Sequence, residues 1–556
     1  MLYSTTKPRT TPLSALLSFP KLYRALAIAI TLFLFLYFVP LLWDSEIYTP
    51  EWYQNYGETN APEHKASKHK GSGHETSENS DPIDADRRFA LILSATKSNP
   101  NACKTIFSAL SLGYPSPVII NWGVKFQDIT HSEFGKALPK LFGFVDYLDS
   151  VMHPNATESE KLKEDDIVLM VDAFDVWFQL PAEVLLSRYH EINRRANERL
   201  QKEWKRTDKP MPMKQTIVLA SEKHCYPNDP KKFGVDMKCD IWPQSPLRTD
   251  LYGPETDGNY SFHHTNRPRW LNGGMYIGPA GDMRRLFRRA KQRVEAMVGE
   301  AFVVRSEQGM IGQALGEQEV WRQLQRKGAI TDELDDLVGE NLEFHVGIDY
   351  GQDLCVESSD TAIRKPDDLF DGDFVHLNDQ EDIDYRSEVR SISPVRVQGV
   401  PDDLRSVQSP LFEDGKPVDW GNMSLYTDFF LATTPVMLHH NKYKDRRTSW
   451  WTRPWYSGHL RRLASAALLP RRSAKPLATV DIEQGRIRYW AASAESVDRY
   501  PRLVQINTNL TAYERFPSAN INETCDWPEE VKDNHKKTWE QEVFRDDEGA
   551  FIVNTL

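Results

Sequence analysis

The hydrophobic pattern of this chain falls into three regimes. Residues 25–43 form an unbroken run of 19 uncharged, largely aliphatic and aromatic residues. Residues 44–86 are poor in aliphatic side chains, and from Phe89 onward short apolar runs alternate with amphipathic stretches. At about 1.5 Å per residue the first run matches the roughly 30 Å hydrocarbon core of a bilayer. Lys7, Arg9, Lys21 and Arg24 precede it, while Asp44, Glu46 and Glu51 follow. This charge asymmetry predicts a cytosolic tail over 1–24, a single-pass signal anchor over 25–43 and a type II topology. A cleaved signal peptide is the rival reading, but its apolar region is usually about 7–15 residues and ends in small residues. Here the exit is Pro40-Leu41-Leu42-Trp43.

Residues 44–86, with His, Lys, Gly and Ser concentrated at 64–77, bury too little apolar area to offset their ordering entropy. They read as a disordered stem. The head is then expected over 87–475. Runs at 89–95, 117–122, 166–172, 216–221 and 274–278 read as buried strands. Helices are predicted over 101–112, from Pro181 to about Glu203, and from a cap at Asp282 through Met297. Apolar strands alternating with amphipathic helices predict an α/β fold with an open, mostly parallel sheet and flanking helices. The stretch 441–475 carries ten Lys or Arg against one acid, with Trp450, Trp451, Trp455 and Tyr456 interleaved. It faces either a phosphate or membrane surface, or simply solvent. Residues 476–556 read as a small C-terminal appendage or an irregular wrap around the head.

Charge and cysteine content narrow the partners. A net charge of −12 argues against nucleic acid. Five cysteines are too few for a disulfide scaffold, and the odd count leaves one thiol over. A bridge between Cys225 and Cys239 would close a loop of about 15 residues, worth roughly 3 kcal/mol. Five Asn-x-Ser/Thr sites, at Asn155, Asn259, Asn422, Asn509 and Asn522, agree with a head in the secretory lumen.

The candidate chemistry begins at Asp172-Ala173-Phe174-Asp175, where a buried strand ends. Ligands of open α/β sheets bind at that edge, and carboxylates seldom close a buried strand without a partner. Asp172 and Asp175 can face one hard cation. Asn272-Gly273-Gly274 offers donors, an acceptor and room for close approach of a ligand. Ser306-Glu307-Gln308 follows a helix and opens another, so Glu307 reads as an N-terminal capping acid. Pro435–Asn441 is an apolar run ending in His439 and His440. A neutral imidazole beside two carboxylates would tilt the site from Mg²⁺ toward Mn²⁺.

In this order these segments resemble the glycosyltransferase domain of the procollagen lysyl hydroxylases and related collagen sugar transferases. Residues 166–178 look like that family's metal-binding strand. Ala220-Ser221-Glu222-Lys223-His224-Cys225-Tyr226-Pro227 is similar to its Ala-Ser-Glu, aromatic, Cys, aromatic, Pro segment, and Leu271–Gly274 to its Leu-Asn-Ser-Gly-Gly strand with Gly273 replacing the Ser. The resemblance covers about Phe89 to Asn441. It implies a GT-A fold, a UDP-sugar donor and Mn²⁺ as cofactor; together with the anchor and stem it points to transfer onto a protein or glycan acceptor in the Golgi or endoplasmic reticulum membrane. Carried over by position, Asp172, Asp175 and His439 are the metal ligands, with His376 the competitor for the third place. Trp122 and Phe174 would sandwich the uracil, Asn272, Gly273 and Gly274 would line the nucleotide-sugar, and Ser306 and Glu307 would stand on the catalytic, acceptor side. The family has a Tyr where Phe174 stands and an Asp pair where Ser306 and Glu307 stand. These departures keep open a catalytically silent lumenal scaffold or sugar-binding module.

Overall fold

A computed structural model describes residues 84–124, 138–258, 263–297, 306–329, 341–361, 369–471, 475–483, 485–504, 514–532 and 535–553. All belong to one compact unit, Ser80–Leu556. The expected tail, anchor and most of the stem, together with Asn259 and Asn509, lie outside the described residues. Among the described residues no helix is long and apolar enough to cross a membrane.

The centre is a nine-stranded mixed sheet in which most neighbours are parallel. Its strands are β1 (Ala85–Ser94), β2 (Val118–Ile120), β3 (Ile167–Asp172), β5 (Ile217–Glu222), β6 (Trp270–Pro279), β7 (Val346–Ile348), β14 (Ala478–Ile482), β15 (Gly485–Trp490) and β16 (Arg502–Leu503). The main path runs β14-β15-β1-β3-β6-β5-β7. β1 is long enough to serve two neighbours on one side: Ala85–Arg88 pair with β15, and Ile92–Ser94 pair with β2. A smaller sheet joins β4 (Val176–Phe178), β13 (Met437–His439) and β8 (Cys355–Glu357). β9 (Gly372–Val375) pairs with β12 (Leu425–Asp428), and β10 (Phe412–Glu413) with β11 (Lys416–Pro417).

Local chemistry explains the helix bounds. Pro100–Ser111 begins at Asn99, whose side chain accepts from Asn101 N–H at 2.9 Å, and Gly113 follows it with φ +80°. Ala182–Glu203 starts after Pro181 and buries the expected stripe Leu185, Leu186, Tyr189 and Ile192. The helix expected from an Asp282 cap begins two residues earlier, at Ala280. Asp282 is instead drawn to a tertiary partner, accepting from Thr216 Oγ1 at 2.6 Å.

Three further expectations are revised. β6 runs antiparallel to both β3 and β5, a direction that continuous apolar strands do not encode. The stretch expected as an appendage supplies β14, β15 and β16 to the main sheet, and Cys525 is bonded to Cys103. Trp450, Trp451, Trp455 and Tyr456 are core residues rather than a surface platform. Trp451 Nε1 donates to Val543 O and Trp455 Nε1 to Gln179 O. The second disulfide is Cys225–Cys239, and the thiol left over is Cys355, buried in β8.

Candidate metal centre

Asp172 is the last residue of β3, and the turn through Ala173 and Phe174 delivers Asp175 directly before β4. β4 pairs antiparallel with β13 so that His439 stands opposite Val176, one residue from Asp175. This register brings three groups together that are far apart in sequence. One ligand atom from each of Asp172, Asp175 and His439 lies within 4.8 Å of the others. His439 Nε2 is 3.5 Å from Asp172 Oδ2 and 3.6 Å from Asp175 Oδ1. His376, the competitor, is exposed after β9 beside Asn378, Asp379 and Asn422, and takes no part.

The orientation of the imidazole follows from its other nitrogen. Asn272 Oδ1 accepts from Gly274 N–H at 2.9 Å, while Asn272 Nδ2 donates to Glu222 Oε2 at 3.0 Å. The same Oδ1 lies 2.9 Å from His439 Nδ1, so Nδ1 acts as a proton donor and Nε2 is the nitrogen turned toward Asp172 and Asp175. That Nε2 is buried with no hydrogen-bond partner. An imidazole nitrogen without a hydrogen-bond partner, facing two carboxylates, becomes a ligand when it gives up its proton, and the set fits a divalent cation of borderline softness.

Two cations of the chain border the same carboxylates. Lys140, from the helix Leu138–Val151, is buried and donates to Asp172 Oδ1 at 2.7 Å and Gly273 O at 2.6 Å. It also pairs with Glu307 Oε1 at 2.8 Å. Burial alone would lower its pKa, but Asp172 and Glu307 outweigh it and hold the ammonium well above its ordinary value. Lys444 pairs with Asp175 Oδ2. For His439 burial opposes charge, yet the adjacent carboxylates of Asp172 and Asp175 raise its pKa to about 9.

Glu307 opens the helix Glu307–Lys327, but it is not the cap. Ser306 is, its hydroxyl accepting from Gly309 N–H at 3.4 Å. Gln308 Oε1 accepts from Gly273 N–H at 2.7 Å, and its Nε2 donates to Glu222 Oε1 at 3.0 Å. Thus the start of this helix is tied to the Asn272–Gly274 segment.

A cavity of about 490 Å³ opens onto these groups. Asp172, Asp175, Asn272, Gly273, Gly274, Ser306, Glu307 and His439 all line it. Trp122 and Phe174 are half-buried against the main core and are not among its lining residues. Trp122 nonetheless lies just past β2, on the carboxyl edge that Asp172 shares through Ser94. Sequence reasoning passed over Lys140, Glu222 and Lys444 as site residues. Glu222 carries the signal that marked Asp172, a carboxylate closing a buried strand; Lys140 carries none. No protein-family model matches this chain, and no curated protein matches it in sequence.

Proposed function

We propose that this chain transfers a sugar from a UDP-sugar to a protein or glycan acceptor in a metal-dependent reaction. We place its head on the lumenal side of the Golgi or endoplasmic reticulum membrane, held there by the span at 25–43. One observation carries the reading: Asp172, Asp175 and the unpartnered Nε2 of His439 converge at the carboxyl edge of parallel strands and line a cavity. That edge is where open α/β sheets bind nucleotides, as a GT-A head requires. The two disulfides support an oxidising compartment.

Asp172, Asp175 and His439 would hold Mn²⁺, which when bound offsets charge on the donor's diphosphate. Lys442 and Lys444, both lining the cavity, add positive charge for an anionic donor. Lys140 fixes the carboxylates of Asp172 and Glu307 relative to each other. Glu307 then sets a carboxylate near the sugar, to take the acceptor's proton or to steady positive charge on the ring. A silent scaffold is the second reading, favoured by the ion pair that ties Glu307 to the buried Lys140. Incubating the purified protein with Mn²⁺ and each UDP-sugar, and measuring free UDP, separates the two. Metal and UDP binding without UDP release from any donor would establish the scaffold.

A further inference from the structure

Glu222 closes β5, is 3% exposed and faces the cavity. Its two oxygens are engaged by amides on opposite sides. Asn272 Nδ2 donates to Oε2 and Gln308 Nε2 donates to Oε1, each at 3.0 Å. Burial, with Glu357 nearby, pushes its pKa well above the usual carboxylate range, while the Asn272 and Gln308 amides pull the other way by favouring the ionised form that accepts on both oxygens. A buried carboxyl held in this way is costly unless its bonds organise something.

What it organises is the direction of an amide. The side chain of Asn272 can present either its oxygen or its NH₂ group to His439. With Nδ2 bound to Glu222, Oδ1 is turned to His439 Nδ1, which must then carry the proton. The reversed amide would offer N–H to Nδ1, move the imidazole proton to Nε2, and cover the lone pair that faces Asp172 and Asp175. Gly274 N–H, also bound to Oδ1, acts in the same sense. We propose that Glu222 is a positioning residue of the metal centre, setting the tautomer of His439 through Asn272. The inference rests on the reading of Asp172, Asp175 and His439 as a cation site, and it assigns Glu222 no contact with the cation.

The test is Mn²⁺ affinity of the detergent-solubilised full-length protein, read from the electron paramagnetic resonance signal of free Mn²⁺. Glu222→Gln keeps the shape but cannot accept from both amides, and should weaken Mn²⁺ binding about 10-fold. In an Asn272→Ala background the same substitution should change nothing further, because the relay is already cut. Melting temperatures of all variants check that each is folded. Wild-type affinity in Glu222→Gln, or an equal loss in both backgrounds, would overturn the relay. A wild-type protein that binds no Mn²⁺ would instead overturn the metal reading on which the relay rests.

Discussion

The imidazole of His439 occupies the space that any side chain on Gly274 would need: a Cβ built there falls 2.2 Å from His439 Nδ1. The glycine is therefore a condition of the ligand set, since His439 reaches Asp172 and Asp175 by packing against bare backbone. Gly274→Ala should push the ring out of line, lowering Mn²⁺ affinity at least 10-fold and stability by about 1–3 kcal/mol through overpacking. Calorimetric titration beside a melting curve checks both; unaltered affinity would show that the ring relaxes without cost.

Asp175→Asn preserves shape while removing the ligand charge, so Mn²⁺ binding should vanish with the melting temperature within a few degrees of wild type. His439→Ala should reduce affinity about 10-fold or more, and His376→Ala should leave it unchanged. A large effect at His376 would contradict its placement beside Asn378 and Asn422.

The pH dependence follows from His439. Its pKa of about 9 lies above the ordinary 6.5, because the facing carboxylates of Asp172 and Asp175 outweigh burial. A cation must displace that proton, so Mn²⁺ affinity should climb about 10-fold per pH unit up to about pH 9 and then level off. Stability runs the other way. The raised folded-state value gives a contribution fully present below about pH 6.5 and lost as pH rises to about 9. His439→Ala should flatten both profiles, and a flat wild-type binding profile would refute the assignment.

Lys140→Met leaves two carboxylates facing each other without their shared ammonium. Breaking a buried pair in this way typically costs about 3–5 kcal/mol, measurable by denaturant unfolding. A loss under about 1 kcal/mol would mean that Glu307 and Asp172 find other partners.

Asn155 lies exposed in a turn after the helix Leu138–Val151. If the head matures in the secretory lumen, glycosidase treatment should increase its gel mobility, and Asn155→Gln should remove part of that shift. A protein from its native cells that is unchanged by glycosidase would count against the lumenal placement.

The parts of this site that were legible in sequence share one trait: they sit where a local pattern breaks. Asp172 and Asp175 interrupt an apolar strand, Gly273-Gly274 interrupts another, and His439 ends a third. Each break shows within about ten residues. Lys140 lies on an ordinary amphipathic helix, and only tertiary packing turns its ammonium toward Asp172 and Glu307. Asp282 resembled a cap until the Thr216 hydroxyl offered a stronger partner. The direction of β6 was hidden for a related reason, because burial on both faces erases the alternation that would hint at its neighbours.

The pairing of β1 with β15 also sets a schedule for synthesis. Asp86 in β1 and Arg488 in β15 are bound across 402 residues. At about 5–20 residues per second, β1 waits roughly 20–80 seconds for that partner to leave the ribosome. Throughout that interval the edge at Ala85–Arg88 leaves its backbone unpaired, and the charges of Asp86, Arg87 and Arg88 are what guard it against joining the wrong chain. A message cut short before residue 485 would leave that edge open for good and also remove β15, β16, Cys525 and the core residues Tyr489 and Trp539, so the product should be aggregated rather than merely inactive.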